Sequence, residues 1–276
     1  MKAALVTMNV KAGQCAENVQ YMKQQIKRAK EDGADLIVFP QNAVSGYLLG
    51  DVWLDEDFCR YADSFNDELI RESEDIAIVW GNIRYRNRRR FNAAFFAYQK
   101  KTHMRVKQNE LLPYIQDALY FEENPINSAI EYKEDMVFAL NFGDEIQLAD
   151  MNINLDARPY DMQKAYHPHG NVIYVNACGM QNMDHSVMLM EGGSCVLRNG
   201  KCLYQAPYFQ EDYALVDLAS QKEDKAKPRS LLAALTMGIQ QFDAQVFAGK
   251  LPWIVGMSGG LDSSVTAALL VYALGK

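Results

Sequence analysis

Long apolar runs are missing from this chain: no stretch approaches the roughly 20 residues that a helix needs to span a bilayer, so no membrane-spanning role is expected. Excess positive charge is missing too. Lys and Arg total 28 against 35 Asp and Glu, a formal net charge of −7, which argues against a general nucleic-acid or anionic-membrane partner. Cysteine is sparse, five residues with no CxxC pair, as expected of reduced thiols in the cytoplasm rather than a disulfide framework or zinc site. Of four histidines only His167 and His169 stand close, flanking Pro168, and they read as a solvated loop. No signal-peptide cleavage pattern precedes the first apolar stretch, and no internal repeat or low-complexity tract appears. What is present, 276 residues with 49% apolar and 23% charged, fits one large globular domain plus part of another.

The chain opens with alternation. Lys2 to Val10 reads as a strand. Residues 16–31 carry Val19, Met22, Ile26 and Ala29 on one helical face, Gly33 stops that helix, and Asp35 to Pro40 is a continuous apolar run of strand length. Strand, helix, strand implies an α/β architecture. Residues 54–73 read as a polar helix and Asp75 to Tyr85 as a strand. Five arginines lie between Arg84 and Arg90, where FNAAFFAY follows as a return strand, so a solvated hairpin turn accounts for them better than a nucleic-acid site. Asn199-Gly200 is a hairpin signal, Asp212 to Leu218 a last strand, and 221–230 a charged linker before a helix over 231–247.

Near the end, Leu251 to Met257, SGGLDSS at 258–264 and an alanine- and leucine-rich run predict strand, tight turn and helix. That arrangement cradles phosphate. Glycines admit close approach of backbone N–H groups, the helix N-terminus carries partial positive charge, and Ser258, Ser263 and Ser264 add donors. Asp262 offers a hard oxygen to Mg²⁺. The spacing is not that of a Walker A loop, which needs a lysine.

SGGLDSS resembles the pyrophosphate loop of the ATP pyrophosphatases. MKAALVTMNV, GADLIVFP and NAVSGY resemble the opening of the nitrilase superfamily, and NVIYVNACG with GGS at 192–194 its late strands. The two in this order resemble glutamine-dependent NAD⁺ synthetases. The resemblance implies a nitrilase-like α-β-β-α sandwich over 1–220, compressed at about 108–170. A linker over 221–230 then leads into the first helix-strand-helix of a Rossmann-like ATP-pyrophosphatase domain over 231–276, most of which 276 residues cannot hold. It also implies ATP phosphates on Gly256, Met257, Ser258, Gly259, Gly260, Leu261, Asp262, Ser263 and Ser264, with Mg²⁺ on Asp262, as cofactors of a complete synthetase domain. Nicotinic acid adenine dinucleotide, with glutamine or ammonia, would be the other substrates, and a homo-oligomer is expected.

Amidases of the nitrilase superfamily use a Glu base, a Lys for the oxyanion and a Cys nucleophile. Here the residue after GADLIVFP is Gln41, a carboxamide that cannot take a proton at neutral pH. The segment RVKQNELLPYIQDALYF offers Lys107 if aligned on Lys-Gln and Asn109 if aligned on Leu112-Pro113, and it reads as lacking the acidic residue expected before Tyr-Phe. No cysteine occurs between Arg60 and Ala177, and DEIQLADMNINLDARPYDM reads as joining strands that the family separates. Cys178 reads as a buried structural thiol. Losing base and nucleophile removes the covalent route, so the sequence predicts an inactive glutaminase site, with free ammonia as the nitrogen source. The alternatives are a non-catalytic scaffold and a relic gene product.

Overall fold

The computed structural model describes all residues except 113–114, 125–129, 133–135, 164–167, 184–185 and 276. In chain order its elements begin with β1 (Lys2–Thr7), α1 (Cys15–Glu31), β2 (Leu36–Val38), α2 (Glu56–Glu72), β3 (Ala77–Arg86), β4 (Arg89–Tyr98) and β5 (Lys101–Val106). The middle of the chain gives the short β6 (Leu111–Leu112) and β7 (Ile115–Gln116), then β8 (Ile130–Tyr132), β9 (Met136–Phe142), β10 (Met151–Asp156) and β11 (Val172–Asn176). The last third gives β12 (Cys178–Met183), β13 (Ser186–Glu191), β14 (Cys195–Arg198), β15 (Lys201–Gln205), β16 (Asp212–Asp217), α3 (Leu231–Val246) and α4 (Leu261–Leu274).

Two six-stranded mixed sheets form the body, one in the order β16-β1-β2-β3-β4-β5 and the other β15-β14-β11-β10-β9-β8. Alternation along each strand decides which layer a side chain joins. Ala4 and Val6 of β1 face α1 and α2, where they meet Val19, Met22, Ile26 and Ala29, whereas Ala3 and Leu5 face the second sheet and meet Phe138, Ile153 and Val175. Helix α2 starts at an N-cap, Asp55, whose side chain accepts from the N–H groups of Asp57 and Phe58. The arginine run forms the β3–β4 hairpin with Asn87 and Arg88 at positive φ, and its charges are matched by acids: Arg84 with Asp63, Arg88 with Glu56, Arg89 with Glu122.

A second outer helical layer is not found among the described residues. Strands β9 and β10 are parallel neighbours, with Met151 opposite Phe138, yet only residues 143–150 connect them. A parallel connection usually takes a dozen or more residues and a helix. Eight residues in helical form would advance about 12 Å, whereas extended they reach about 27 Å, enough to return along the strand. The loop therefore lies on the face a helix would cover, and the residues beneath it are polar. Asn141, Asn152 and Asn154 are buried. Asn154 Nδ2 donates to the carbonyls of Gly143 and Glu145, Asn141 Nδ2 to Asn152 Oδ1 at 2.7 Å, and Gln147 Nε2 to Asn141 Oδ1 at 2.7 Å. Carboxamides here take the place of apolar helix-packing residues. The expected joining of strands thus takes this form.

The expected strand at 251–257 is corrected. These residues form no strand, and Leu251, Ile254 and Met257 are exposed. A strand needs a neighbour for its backbone groups, and no described strand runs beside this one. The C-terminal segment is instead α3, an extended stretch and α4, tied by an aromatic cluster of Phe242, Phe247 and Trp253 and by Trp253 Nε1 donating to Asp243 Oδ1 at 2.7 Å.

Candidate functional site

Gln41 stands where the chain leaves β2 after Pro40. Its N–H donates to the Asp156 carbonyl at 3.2 Å, which sets it at the C-terminal end of β10, and its side-chain Nε2 is buried with no hydrogen-bond partner among the described residues. The backbone passes so close to β3 that a Cβ on Gly81 would lie 2.5 Å from Gln41 Cα and 2.4 Å from Asn42 N, so only glycine fits there.

Lys107 follows β5, its N–H donating to the Asn92 carbonyl, and its side chain is only 5% exposed. Its Nζ lies 2.5 Å from Asp117 Oδ2, 3.4 Å from Tyr47 Oη and 3.4 Å from Glu110 Oε2. Tyr47 Oη donates to the other oxygen of Asp117 at 2.7 Å. The backbone N–H groups of Tyr47 and Leu48 in turn donate to Gln181 Oε1 at 3.0 and 3.1 Å. Asp117 begins a 3₁₀ turn, is 1% exposed, and lies four residues before Phe121. The segment therefore has an acidic residue before Tyr120-Phe121, contrary to the sequence reading.

Of the two candidates for the lysine position, Lys107 enters the buried polar group, whereas Asn109 straps the neighbouring turn, its N–H donating to Glu123 Oε1 and its Nδ2 to the Phe121 carbonyl. Among the described residues no hydrogen bond joins the Gln41 side chain to Lys107. The cation is instead matched to the carboxylate of Asp117, both side chains being buried.

The cysteines lie elsewhere. Cys178 is fully buried at the start of β12, packed with Phe209, Ala234 and Met237, and burial pushes its thiol well above the usual range. That environment suppresses the thiolate a nucleophile needs. At the end of β10, where the backbone meets Gln41, stand Asp156, bonded to Arg158 and Tyr174 Oη, and the buried Ala157, neither of which brings a thiol to the site. His167 lies outside the described residues, and no cluster of metal-ligating side chains occurs among the described residues.

At the other candidate site Gly260 precedes α4 without a side-chain cap, and Gly259 has φ +83. Ser258 Oγ lies 3.2 Å from Ser263 Oγ, the Ser258 N–H donates to Ser263 Oγ at 3.3 Å, and Ser264 Oγ donates to the Gly260 carbonyl at 2.9 Å. Asp262 is in the first helical turn. Gly256 and Gly259 have open space around them, a Cβ on Gly260 would meet Ser258 Oγ at 3.5 Å, and residues 256–262 are exposed. Hydroxyls, glycines and a helix N-terminus without a side-chain cap are thus brought together, and Val255, Gly256 and Met257 just before them line cavities shared with Trp253 and Leu270.

Comparison with known proteins places these features. The carbon-nitrogen hydrolase family model matches residues 2–101. A glutamine-dependent NAD(+) synthetase of Acinetobacter baylyi is 25% identical over 99% of this chain and 56% of its own length. The structure of a glutamine-dependent NAD+ synthetase from Acinetobacter baumannii in complex with ADP superposes with a TM-score of 0.79 at 24% identity, covering 99% of this chain and 57% of that one. An amidase of the nitrilase superfamily from Nesterenkonia superposes with a TM-score of 0.67 at 18% identity over 79% of this chain and 90% of its own. No described helix is long and apolar enough to cross a membrane. The chain has the nitrilase-like fold of the carbon-nitrogen hydrolases and is similar over nearly all its length to glutamine-dependent NAD⁺ synthetases, of which it spans a little over half.

Proposed function

We propose that this chain is the nitrilase-like body and phosphate-loop segment of an NAD⁺ synthetase type of protein in which the body does not hydrolyse glutamine, so that free ammonia supplies the amide nitrogen. The observation that carries this reading is the meeting of the ends of β2 and β10, where Gln41 is a carboxamide and neither Asp156 nor Ala157 brings a thiol. Lys107 is retained, paired with Asp117, the acidic residue expected before Tyr-Phe, but a cation for the oxyanion has no thiolate to serve here. Cys178 supports the same reading, packed away with its pKa raised.

The domain division at 221–230 belongs to the same proposal, with 1–220 as the body and 231–276 as the start of the nucleotide unit. Mg-ATP fits the donor set of the loop. The hydroxyls of Ser258, Ser263 and Ser264 and the free N–H groups at the start of α4 suit phosphate oxygens, and Asp262 suits Mg²⁺. Bound there, ATP would supply the leaving group that activates a carboxyl of the second substrate, nicotinic acid adenine dinucleotide. Residues 256–262 are exposed, and for these 276 residues calorimetry is expected to show Mg-ATP affinity no tighter than about 1 mM, about −4 kcal/mol. The site reading is tested by measuring ammonia released from glutamine. Release at the buffer background supports it, and release that Lys107→Ala abolishes refutes it.

The scaffold reading is favoured by one observation. Helix α4 is apolar nearly all round, yet Val265, Val271 and Tyr272 are exposed, and such a helix is normally covered. Sedimentation velocity decides whether the chain self-associates: a monomer at micromolar concentration removes this support.

A further inference from the structure

Helix α3 is tied to the body at three points. Ala234 and Met237 pack with Cys178 and Phe209. Two carboxamides one turn apart close the open edge of β12: Gln241 Oε1 accepts from the Met180 N–H at 3.0 Å, and Gln245 Nε2 donates to the Met180 carbonyl at 3.4 Å. The third tie carries charge. Arg229, immediately before the N-cap Ser230, sends its guanidinium into the body, where Nε donates to Glu191 Oε2 at 2.6 Å, Nη2 donates to the Asp161 carbonyl, and Cζ stands 4.4 Å over the Tyr160 ring. Glu191 ends β13 and is 3% exposed.

The first two ties are neutral and unchanged by mild acid. The third is not, because a buried carboxylate is tolerated only while it is paired. Among the described residues the charged or titratable groups facing Glu191 are Arg229, Asp156 with its partner Arg158, and Tyr208 on the turn after β15. Asp156 is matched by Arg158 at 2.9 Å and by Tyr174 Oη at 2.9 Å, which leaves Arg229 as the cation bonded to Glu191. Burial raises the pKa of Glu191 above the usual carboxylate range, and Arg229 pulls it back.

We propose that Glu191 and Arg229 form a proton-gated latch, holding α3 against the body while Glu191 is ionised and releasing it when Glu191 takes up a proton. Glu191 lies on β13 and stays in the body when α3 leaves, so the two states compared are a buried carboxyl with and without Arg229; docking Arg229 favours its charged form, and docking therefore weakens as pH falls through the pKa of Glu191. Release reaches the far segment as well, because α4 is carried on α3 through Gln240 Nε2, which donates to the Ala273 carbonyl at 2.8 Å. The serine-glycine loop at the start of α4 then loses its fixed position relative to the body. This latch stands apart from the proposed function, since neither ATP nor glutamine enters it.

The test is hydrogen exchange of residues 231–246 from about pH 8 to about pH 5, corrected for the intrinsic pH dependence of exchange. In the wild type, protection of α3 should fall as pH drops across that range, by roughly tenfold for each unit by which docked Arg229 holds the Glu191 pKa down. Glu191→Gln keeps the shape and cannot ionise; Arg229→Ala removes the pin from the linker side. Both should show the low, pH-independent protection already at the alkaline end. Unchanged exchange in β1 to β3 reports that the body is folded, and if Glu191→Gln fails that control, Arg229→Ala carries the test alone. Wild-type protection that does not vary with pH overturns the latch, as does a folded variant that keeps wild-type protection or its pH dependence.

Discussion

At Lys107 a cation sits in the body with its counterion supplied by a residue ten positions along the chain. Removing one member of such a pair strands the other, so Lys107→Met or Asp117→Asn should each cost about 3–5 kcal/mol, whereas Lys107→Met with Asp117→Leu should cost less than either. Urea denaturation midpoints of the three variants check this. The thiols make a separate prediction. Burial pushes Cys15 to about 12 and Cys59 to about 11. A pKa raised by folding contributes stability that is complete below the unfolded thiol value, about 8.5, and is lost as pH climbs toward the folded value. Thermal midpoints should therefore fall above about pH 9, and Cys15→Ala should flatten that slope. Residue identity was the legible part here: Gln41 and the missing thiol follow from reading single positions. Asp117 did not, because its role comes from a turn that folds it back onto Lys107 and Tyr47, and that partnership has no local pattern.

At the scale of elements, the first 106 residues fold as their periodicity requires. Val19, Met22, Ile26 and Ala29 are all buried on α1, and the Asn87-Arg88 and Asn199-Gly200 turns close the hairpins β3–β4 and β14–β15. Beyond that the sequence was harder to read, for two physical reasons. A parallel strand pair leaves no turn signature, so the return of 143–150 from β9 to β10 is not visible as a motif. The outer face of β9 and β10 is polar and buried together, which breaks the usual equation of burial with apolar residues. The asparagines on it are therefore load-carrying in a measurable sense. Asn154→Ala leaves the carbonyls of Gly143 and Glu145 without their donor. It should destabilise the fold by about 1–3 kcal/mol for each group left buried and unsatisfied, read as a shift in the urea midpoint at constant slope. At 251–257 the composition of a strand is present without a partner, so composition alone misled.

At the scale of the molecule, the two ends of the chain are held differently. The body of two sheets and two helices is closed by extensive apolar layers. The segment from Arg229 onward is attached by one apolar contact cluster, two glutamines and a buried ion pair, while much of α4 remains exposed. Local opening is expected to begin in that segment, well below the free energy of global unfolding. The proposed function joins the two: a body with the nitrilase-like fold and neither base nor thiol at its site, beside a loop with the donors of a phosphate site. The most direct test of that account is a steady-state assay of ammonia release from glutamine by the purified wild-type chain, run beside Lys107→Ala. The account predicts that both give the buffer background. Turnover by the wild type that disappears in Lys107→Ala, with the variant still folded, would contradict it.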